Sequence, residues 1–303
     1  MFLDQIAHRV PSRGRLTHLV IVAIIASFAL VMLMSCSREK AATKPSKALL
    51  TRITIAGSSA MLPLVTEAAN RYMRLHPDVA IDVSAGGSSR GIEGLLRREI
   101  DVGASDISAE GDAAAKLQDH RVAVTAFAAM ANRGPFNEKI ESLTMDQLRG
   151  IFSGSIKNWS AVGGADQPIV VINRKKGSGT RVTFGRIVLG GDRFVQGLEE
   201  ESSALVRTML EQTKGAISYL ALSYRREGLM CFAVAGVSPT NDNVAARKYP
   251  IWSFEHAYTF GPATGGTKDF LDYLLSVEVQ STIVPSSGFL PVAQMRVAQG
   301  ADR

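Results

Sequence analysis

Cysteine is nearly absent from this chain: Cys36 and Cys231 are the only two in 303 residues. A disulfide framework is excluded, because no pair of cysteines remains if Cys36 is modified. Cys231 lies in the apolar run Leu229 to Val234, where its default role is packing. The five histidines are scattered without metal-ligand spacing, and His8 and His18 fall near the N-terminus. A zinc or other metal site has no sequence basis, and no cofactor is implied. No long Lys/Arg run, zinc-finger, RNP or basic-region pattern occurs, so the formal charge of +6 does not point to nucleic acid. It is a mild bias toward anions in general. The Gly-Ser-Gly-Thr sequence at 177–180 lacks the Lys-Ser/Thr of a Walker loop. No Ser/His/Asp order presents itself either, so the chain is not expected to be an enzyme.

The first 35 residues carry Arg9, Arg13 and Arg15, then an almost wholly apolar run from Leu16 to Met34, then Ser35-Cys36. This is the pattern of a lipoprotein signal peptide, with Cys36 as the lipidated first mature residue. Met34 stands where a small residue is usual. The competing reading is an uncleaved membrane anchor, since the run is long enough to span. Either reading puts the rest of the chain outside the cytoplasm, in the periplasm or at the cell surface, tethered to a membrane. Residues 36–50, rich in Ala, Lys and Ser, read as a flexible tether.

Beyond residue 50 one unit recurs: a short apolar strand, small polar residues with glycine, then an amphipathic helix. Arg52 to Ala56 precedes Gly57-Ser58-Ser59-Ala60 and a helix from Leu62 to Leu75. Val79 to Ser84 precedes Gly86-Gly87-Ser88-Ser89 and a helix from Arg90 to Arg98. Val102 to Ala104 ends in Ser105-Asp106. Ile169 to Ile172 leads through Arg174 to Gly177-Ser178-Gly179-Thr180 and a helix through Val188. Val122 to Ala131 reads as a buried strand, 247–260 as extended, and Phe270 to Ile283 as one helix. Strands alternating with helices imply an α/β architecture with mainly parallel sheets. Ligands in such sheets sit beyond the carboxyl ends of the strands, where all four polar clusters fall. A single Gly/Ser cluster there is usually a turn or a cap. Four of them, each opening a helix or ending a strand, form a means of holding an anion.

These segments in this order resemble the substrate-binding lipoproteins of phosphate ABC importers. IAGSSAMLPLVTEAANRY, SAGGSSRGIEGLL, DVGASDIS, LTMDQLRGIFSGSIKNWSAVGG and RKKGSGTRVTF carry the resemblance, and FLDYLLSVEVQSTIVPSSGFLPV completes it. It covers nearly the whole chain after the tether. It implies a two-lobed periplasmic-binding-protein fold of type II, with the ligand cleft between the lobes. One lobe would comprise 51–128 with 257–303, the other 129–256, with crossings near Phe127 to Ala131 and Trp252 to Tyr258. By motif, Arg174, Ser178, Gly179 and Thr180 resemble contacts of the second lobe, and Asp106 the pocket aspartate of the first. Ser88 and Ser89 match the second loop, without a decision as to which hydroxyl points inward. Some relatives have Thr and Phe before the proline of the first loop, where this chain has Met61 and Leu62. That leaves Ser58, Ser59 and Ala60 as the candidates there. The implied partners are inorganic phosphate, ABC permease subunits and a membrane holding the lipid anchor. The binding protein would act as a monomer.

The chemistry fits those residue types. Hydroxyls and backbone N–H groups satisfy oxyanion oxygens, and Arg174 adds a charge-assisted contact. A carboxylate beside an anion is unfavourable unless it accepts a proton from it. Asp106 would therefore admit protonated oxyanions and repel sulfate. Arsenate stays open on this argument, and molybdate or tungstate are disfavoured. A sensory or adhesive lipoprotein with the same pocket is the other alternative. Arg181 is expected to make a supporting ion pair, and Trp159, Trp252 and Tyr258 to pack the lobes or hinge.

Overall fold

The computed structural model describes residues 51–295. The expected signal peptide, Cys36 and the tether to residue 50 lie outside the described residues, as does the chain from 296 onward. Among the described residues no helix is long and apolar enough to cross a membrane.

The chain opens with β1 (Thr51–Gly57), α1 (Leu62–Leu75), β2 (Val79–Ala85), α2 (Ser88–Leu96) and β3 (Val102–Ser105). β1 lies between β2 and β3 and runs parallel to both. α1 starts at a proline, where a missing N–H does no harm, and buries Leu64, Val65, Ala68, Ala69 and Tyr72. α3 (Gly111–Lys116) then leads directly into β4 (Leu117–Asn132), which is 16 residues long. There follow β5 (Ser142–Leu143), α4 (Met145–Ser153), β6 (Val170–Arg174), α5 (Gly179–Phe184) and β7 (Leu198–Glu200). Next come α6 (Ser203–Gln212), β8 (Ala216–Ala221), β9 (Leu229–Cys231), β10 (Ala233–Val234) and α7 (Asn241–Ala245). β11 (Trp252–Phe260), α8 (Gly265–Leu274), α9 (Val277–Ser281) and α10 (Ile283–Ser286) complete the chain.

The strands order as β2-β1-β3-β11-β4-β8-β6-β7, with β9 also on β4. β11 and β4 pair antiparallel in the middle, and parallel pairs lie on both sides of them. The apolar interior divides along these two strands. Val122, Ala123 and Ala257 pack in a core with Ile53, Leu64 and Phe270. Val124, Ala126 and Phe127 pack in a second core with Trp159, Phe184 and Tyr219. The register of β11 on β4 shifts between Glu255 and His256: Ala123 faces the former and Arg121 the latter. Val122 is thus an extra residue on β4, a bulge at the point where the core changes.

Several elements differ from the pattern in the sequence. β4 begins five residues earlier than its apolar run, because Leu117 to Arg121 is held by its ladder to β11 rather than by apolar character. The helix expected over Phe270 to Ile283 is three short ones. Ser276 breaks it by accepting the Val279 N–H at 3.3 Å, the geometry of a cap. The helix through Val188 is α5 followed by a wider π-helical turn that stops at Gly190, whose φ is +66°.

α2 sits unusually low on the sheet. A Cβ added at Gly91 would lie 2.8 Å from the Ala104 carbonyl oxygen and 2.9 Å from that of Ala56. No side chain fits between the helix and β1 and β3. Gly91→Ala should lift α2 off the strands and destabilise the protein by about 1–3 kcal/mol, the usual range for overpacking. The denaturation midpoint reads this, and an unchanged midpoint would show that the helix moves freely.

Candidate functional site

The carboxyl ends of β1, β2, β3 and β6 point to one place, and each delivers one of the polar clusters there. From the first half come Ser58, Ser59 and Ala60 after β1, Ser88 at the start of α2, and Asp106 after β3. From the second come Arg174 at the end of β6 and Ser178, Gly179 and Thr180 at α5.

Asp106 is 1% exposed. One of its oxygens accepts the Ser58 hydroxyl in a short hydrogen bond, and the other accepts the Thr180 hydroxyl at 2.7 Å. Its N–H donates to Ser88 Oγ at 2.9 Å, and its carbonyl accepts Thr183 at 3.3 Å. Ser58 Oγ in turn accepts the Ala60 N–H at 3.0 Å. Ser88, rather than Ser89, therefore carries the hydroxyl that meets Asp106. The Ser89 N–H instead donates to the Gly177 carbonyl across the two halves at 3.1 Å. Gly87 and Gly179 permit this approach. A Cβ on Gly87, which has φ +87°, would meet Gly177 O at 2.7 Å, and one on Gly179 would meet Ser88 Oγ at 2.2 Å. Ser178 caps α5, its Oγ accepting the Arg181 N–H at 3.3 Å.

Arg174 is also 1% exposed. Its guanidinium donates to Ser203 Oγ at 3.0 Å, to Ser59 Oγ at 2.9 Å and to the Glu201 carbonyl at 2.9 Å. All three acceptors are neutral. Its Nε has no acceptor among the described residues, and no carboxylate there lies in ion-pair contact with it. Burial pulls its pKa down, and the charge of Asp106 pushes back. Burial likewise raises the pKa of Tyr219, whose neutral hydroxyl accepts the Arg174 N–H at 3.2 Å. Tyr224, raised for the same reason, donates its hydroxyl to the Ser59 carbonyl at 2.7 Å.

Arg181 is placed quite differently. It reaches Asp192 at 2.6 Å and Glu199 at 3.0 Å, lies 4.7 Å over the Phe194 ring, and donates to the Arg174 carbonyl at 2.6 Å. Burial opposes its charge, but the bonds to Asp192 and Glu199 outweigh that and its pKa is raised. Trp159 is fully buried in the second core, its Nε1 on the Gly215 carbonyl at 3.0 Å. Trp252 and Tyr258 lie on β11.

Sequence reasoning overlooked Ser203. Its N–H donates to Ser59 Oγ at 3.1 Å, and its hydroxyl accepts from Arg174. The available signal was Ser202 before the amphipathic SALVRTMLEQ that Ser203 opens, a further case of strand, serine and helix. Its strand, β7, has only three residues and no apolar alternation, so the pattern is faint. Among the described residues no group of His, Cys, Asp and Glu could hold a metal ion.

The fold and this site define a binding protein of the periplasmic class: the PBP superfamily domain matches residues 41–278. The chain is 43% identical over 254 residues to the phosphate-binding protein PstS of Bacillus subtilis, covering 82% of this chain and 84% of that protein. It is 28% identical to PstS of Borreliella burgdorferi over 79% of this chain and 90% of that one. A phosphate ABC transporter substrate-binding protein from Clostridium perfringens, solved with bound phosphate, superposes with a TM-score of 0.75 at 29% identity, over 80% of this chain and 99% of that chain. An ABC-type phosphate transport receptor from Vibrio cholerae gives a TM-score of 0.65 at 25% identity, over 79% and 99%. The chain belongs to the PstS family of phosphate-binding proteins.

The Arg181 fork supports Arg174 through the backbone, so its loss should be structural. Arg181→Met should lower stability by about 1–3 kcal/mol, because it leaves the Arg174 carbonyl without its buried donor. Chemical denaturation measures this. A variant as stable as the parent would show that the fork is dispensable.

Proposed function

We propose that this chain is an extracytoplasmic, lipid-anchored binding protein that captures inorganic phosphate between two lobes and delivers it to an ABC permease. One observation carries the reading: a buried arginine and a buried aspartate converge on one place without pairing with each other. Arg174 is bonded only to neutral oxygens, and Asp106 accepts two hydroxyls. A protonated oxyanion satisfies both. Its unprotonated oxygens accept from Arg174, Ser59, Ser203 and Thr180, and its P–OH donates to Asp106. The names of the relatives and the phosphate bound in the Clostridium perfringens structure support phosphate among the oxyanions.

The two cores support two lobes hinged on β4 and β11, near the proposed 51–128 with 257–303 and 129–256, although the second core already starts at Val124 and takes in Ala60, Leu290 and Met295. Ser58, Ser59, Ala60, Ser88, Ser89 and Asp106 then face Arg174, Ser178, Gly179 and Thr180 across the cleft. The role is capture rather than catalysis, as in the relatives. Lipidation at Cys36 and a monomeric state belong to the same proposal. Fatty-acid labelling that is lost in Cys36→Ser tests the anchor.

Calorimetry on the soluble chain from about residue 45 should show phosphate and arsenate binding and no sulfate binding. Absence of phosphate binding at ~1 mM would sink the reading. Asp106→Asn should weaken phosphate and admit sulfate, gaining ~100-fold or more for it as a like-charge clash of several kcal/mol is removed. If sulfate stays excluded from that variant, Asp106 is not the selecting group.

A further inference from the structure

Glu255 has no part in the contacts described so far, yet its exposure is 0%. It stands on β11 beside the bulge. Neither of its carboxyl oxygens makes a well-formed hydrogen bond among the described residues, and the Ser253 hydroxyl favours the charged form only against the larger effect of burial. An ionised carboxylate in that position would lose its hydration and receive little in return, so a buried group of this kind takes up a proton instead. As an acid it has a donor, and the acceptor for it is near. β3 and β11 pair antiparallel with His256 opposite Ser105 and Ala257 opposite Ala104. The ladder ends there, but Asp106 directly follows Ser105 and Glu255 directly precedes His256, and the two carboxyl groups lie within hydrogen-bond reach of each other.

Among the described residues no cation is in contact with the Glu255 carboxyl, although Arg186 lines the cavity beside Asp106 and Ser253. Its partner on β4 is Ala123. His256, next in sequence, turns away to Asp119 at 2.7 Å and stacks on Tyr258. On α2, Glu93 pairs with Arg97, and the stem of Arg90 lies along Gly86. On α5, Arg181 is committed to Asp192 and Glu199. Arg174 acts on Asp106. Burial is the largest influence on Glu255 and holds its pKa well above the carboxylate range; the charge and hydrogen bond of Asp106 add to this, and Ser253 opposes it.

We propose that Glu255 is held as the neutral acid and donates a hydrogen bond to Asp106, so that the residue facing the ligand's proton is one half of a carboxylic acid–carboxylate pair. Glu255 is a positioning residue: it acts through Asp106 and does not touch the ligand. Its hydrogen bond fixes the Asp106 carboxylate on the hinge strand and draws charge from it. Asp106 then accepts the ligand's proton as a hydrogen bond without removing it. Were both groups ionised, two negative charges would face a ligand anion across from the single guanidinium of Arg174. A raised pKa means that the acid–carboxylate pair, with its single negative charge, is lost as pH rises through the folded-state value of Glu255. Ligand affinity falls through that value, and the stability contribution declines from the unfolded-state carboxyl pKa up to it.

The proposal rests on the phosphate reading for its binding test, and a second readout needs no ligand. In the ligand-free protein near neutral pH, infrared difference spectra between wild type and Glu255→Gln should show one protonated-carboxyl stretch that the variant lacks. Across the pH range in which that band is lost, phosphate affinity of the wild type should fall ~10-fold, and that of Glu255→Gln by less than ~3-fold, since glutamine is a permanent neutral donor. No protonated-carboxyl band, or parallel pH profiles, would overturn the proposal. If Glu255→Gln does not fold, Asp106→Asn serves: removing the charged acceptor should shift the Glu255 band, and an unshifted band would overturn the pairing. If the wild type binds no phosphate, the phosphate reading fails while the infrared band still decides on Glu255.

Discussion

A guanidinium taken out of water without a carboxylate to meet it is the constraint around which this molecule is arranged. Arg174 is as buried as a core leucine, yet its acceptors are two serine hydroxyls and a peptide carbonyl. Neutral acceptors offset less of the desolvation of a cation than an anion does. The surroundings are therefore over-determined. Tyr219 holds the Arg174 N–H, Arg181 holds its carbonyl, and Arg181 is itself fixed by two acids and an aromatic ring. The side chain has few alternatives left to it. Because Ser59 comes from one half of the protein and Ser203 from the other, the same charge also makes the halves depend on each other.

The sheet explains how such a site is reached from both sides. Parallel strands on each flank send their carboxyl ends inward, and the antiparallel pair β4–β11 carries the chain from one core to the other. The bulge at Val122 falls where those cores meet. A bulge there increases local twist and re-aims neighbouring side chains. Glu255 stands beside that bulge, with its carboxyl against that of Asp106. On the proposed function, the strand on which the two halves would turn is also the strand that supports the carboxylate proposed to select the anion.

How much of this was readable beforehand depends on whether a residue's role is local. The strand, glycine and serine units were legible because apolar periodicity and turn chemistry are local, and the resemblance by motif then singled out Ser58, Ser88, Asp106, Arg174 and Thr180 within them. The division of labour between Ser88 and Ser89 was not, since it is fixed by Gly177 on another segment. Ser203 went unremarked because a serine that opens a helix is ordinary, and only the bond from Arg174 sets it apart. Glu255 was hidden by the alternation of WSFEHAY. Trp252, Phe254, His256 and Tyr258 fall on one side of that strand, and a glutamate on the other reads as solvent-facing. Only the closure of β3 and β4 around it shows otherwise. The first turns of β4 and the break at Ser276 were missed for the opposite reason: ladder bonds and one capping hydroxyl overruled the apolar pattern.

On the proposed function, affinity and selectivity are carried by different chemistry. Arg174 and the hydroxyls favour any tetrahedral anion, because none of them senses whether the ligand carries a proton. A lone carboxylate opposite them would sense it, but by repelling every anion to some degree. Pairing that carboxylate with a neutral acid alters the balance. The acid spreads the charge of Asp106, which lessens the repulsion toward a bound anion while leaving a lone pair for the anion's own O–H. An anion without an O–H still meets uncompensated charge. The buried Glu255, which looks like a liability in the hinge, is on this argument what lets a carboxylate serve in an anion site at all.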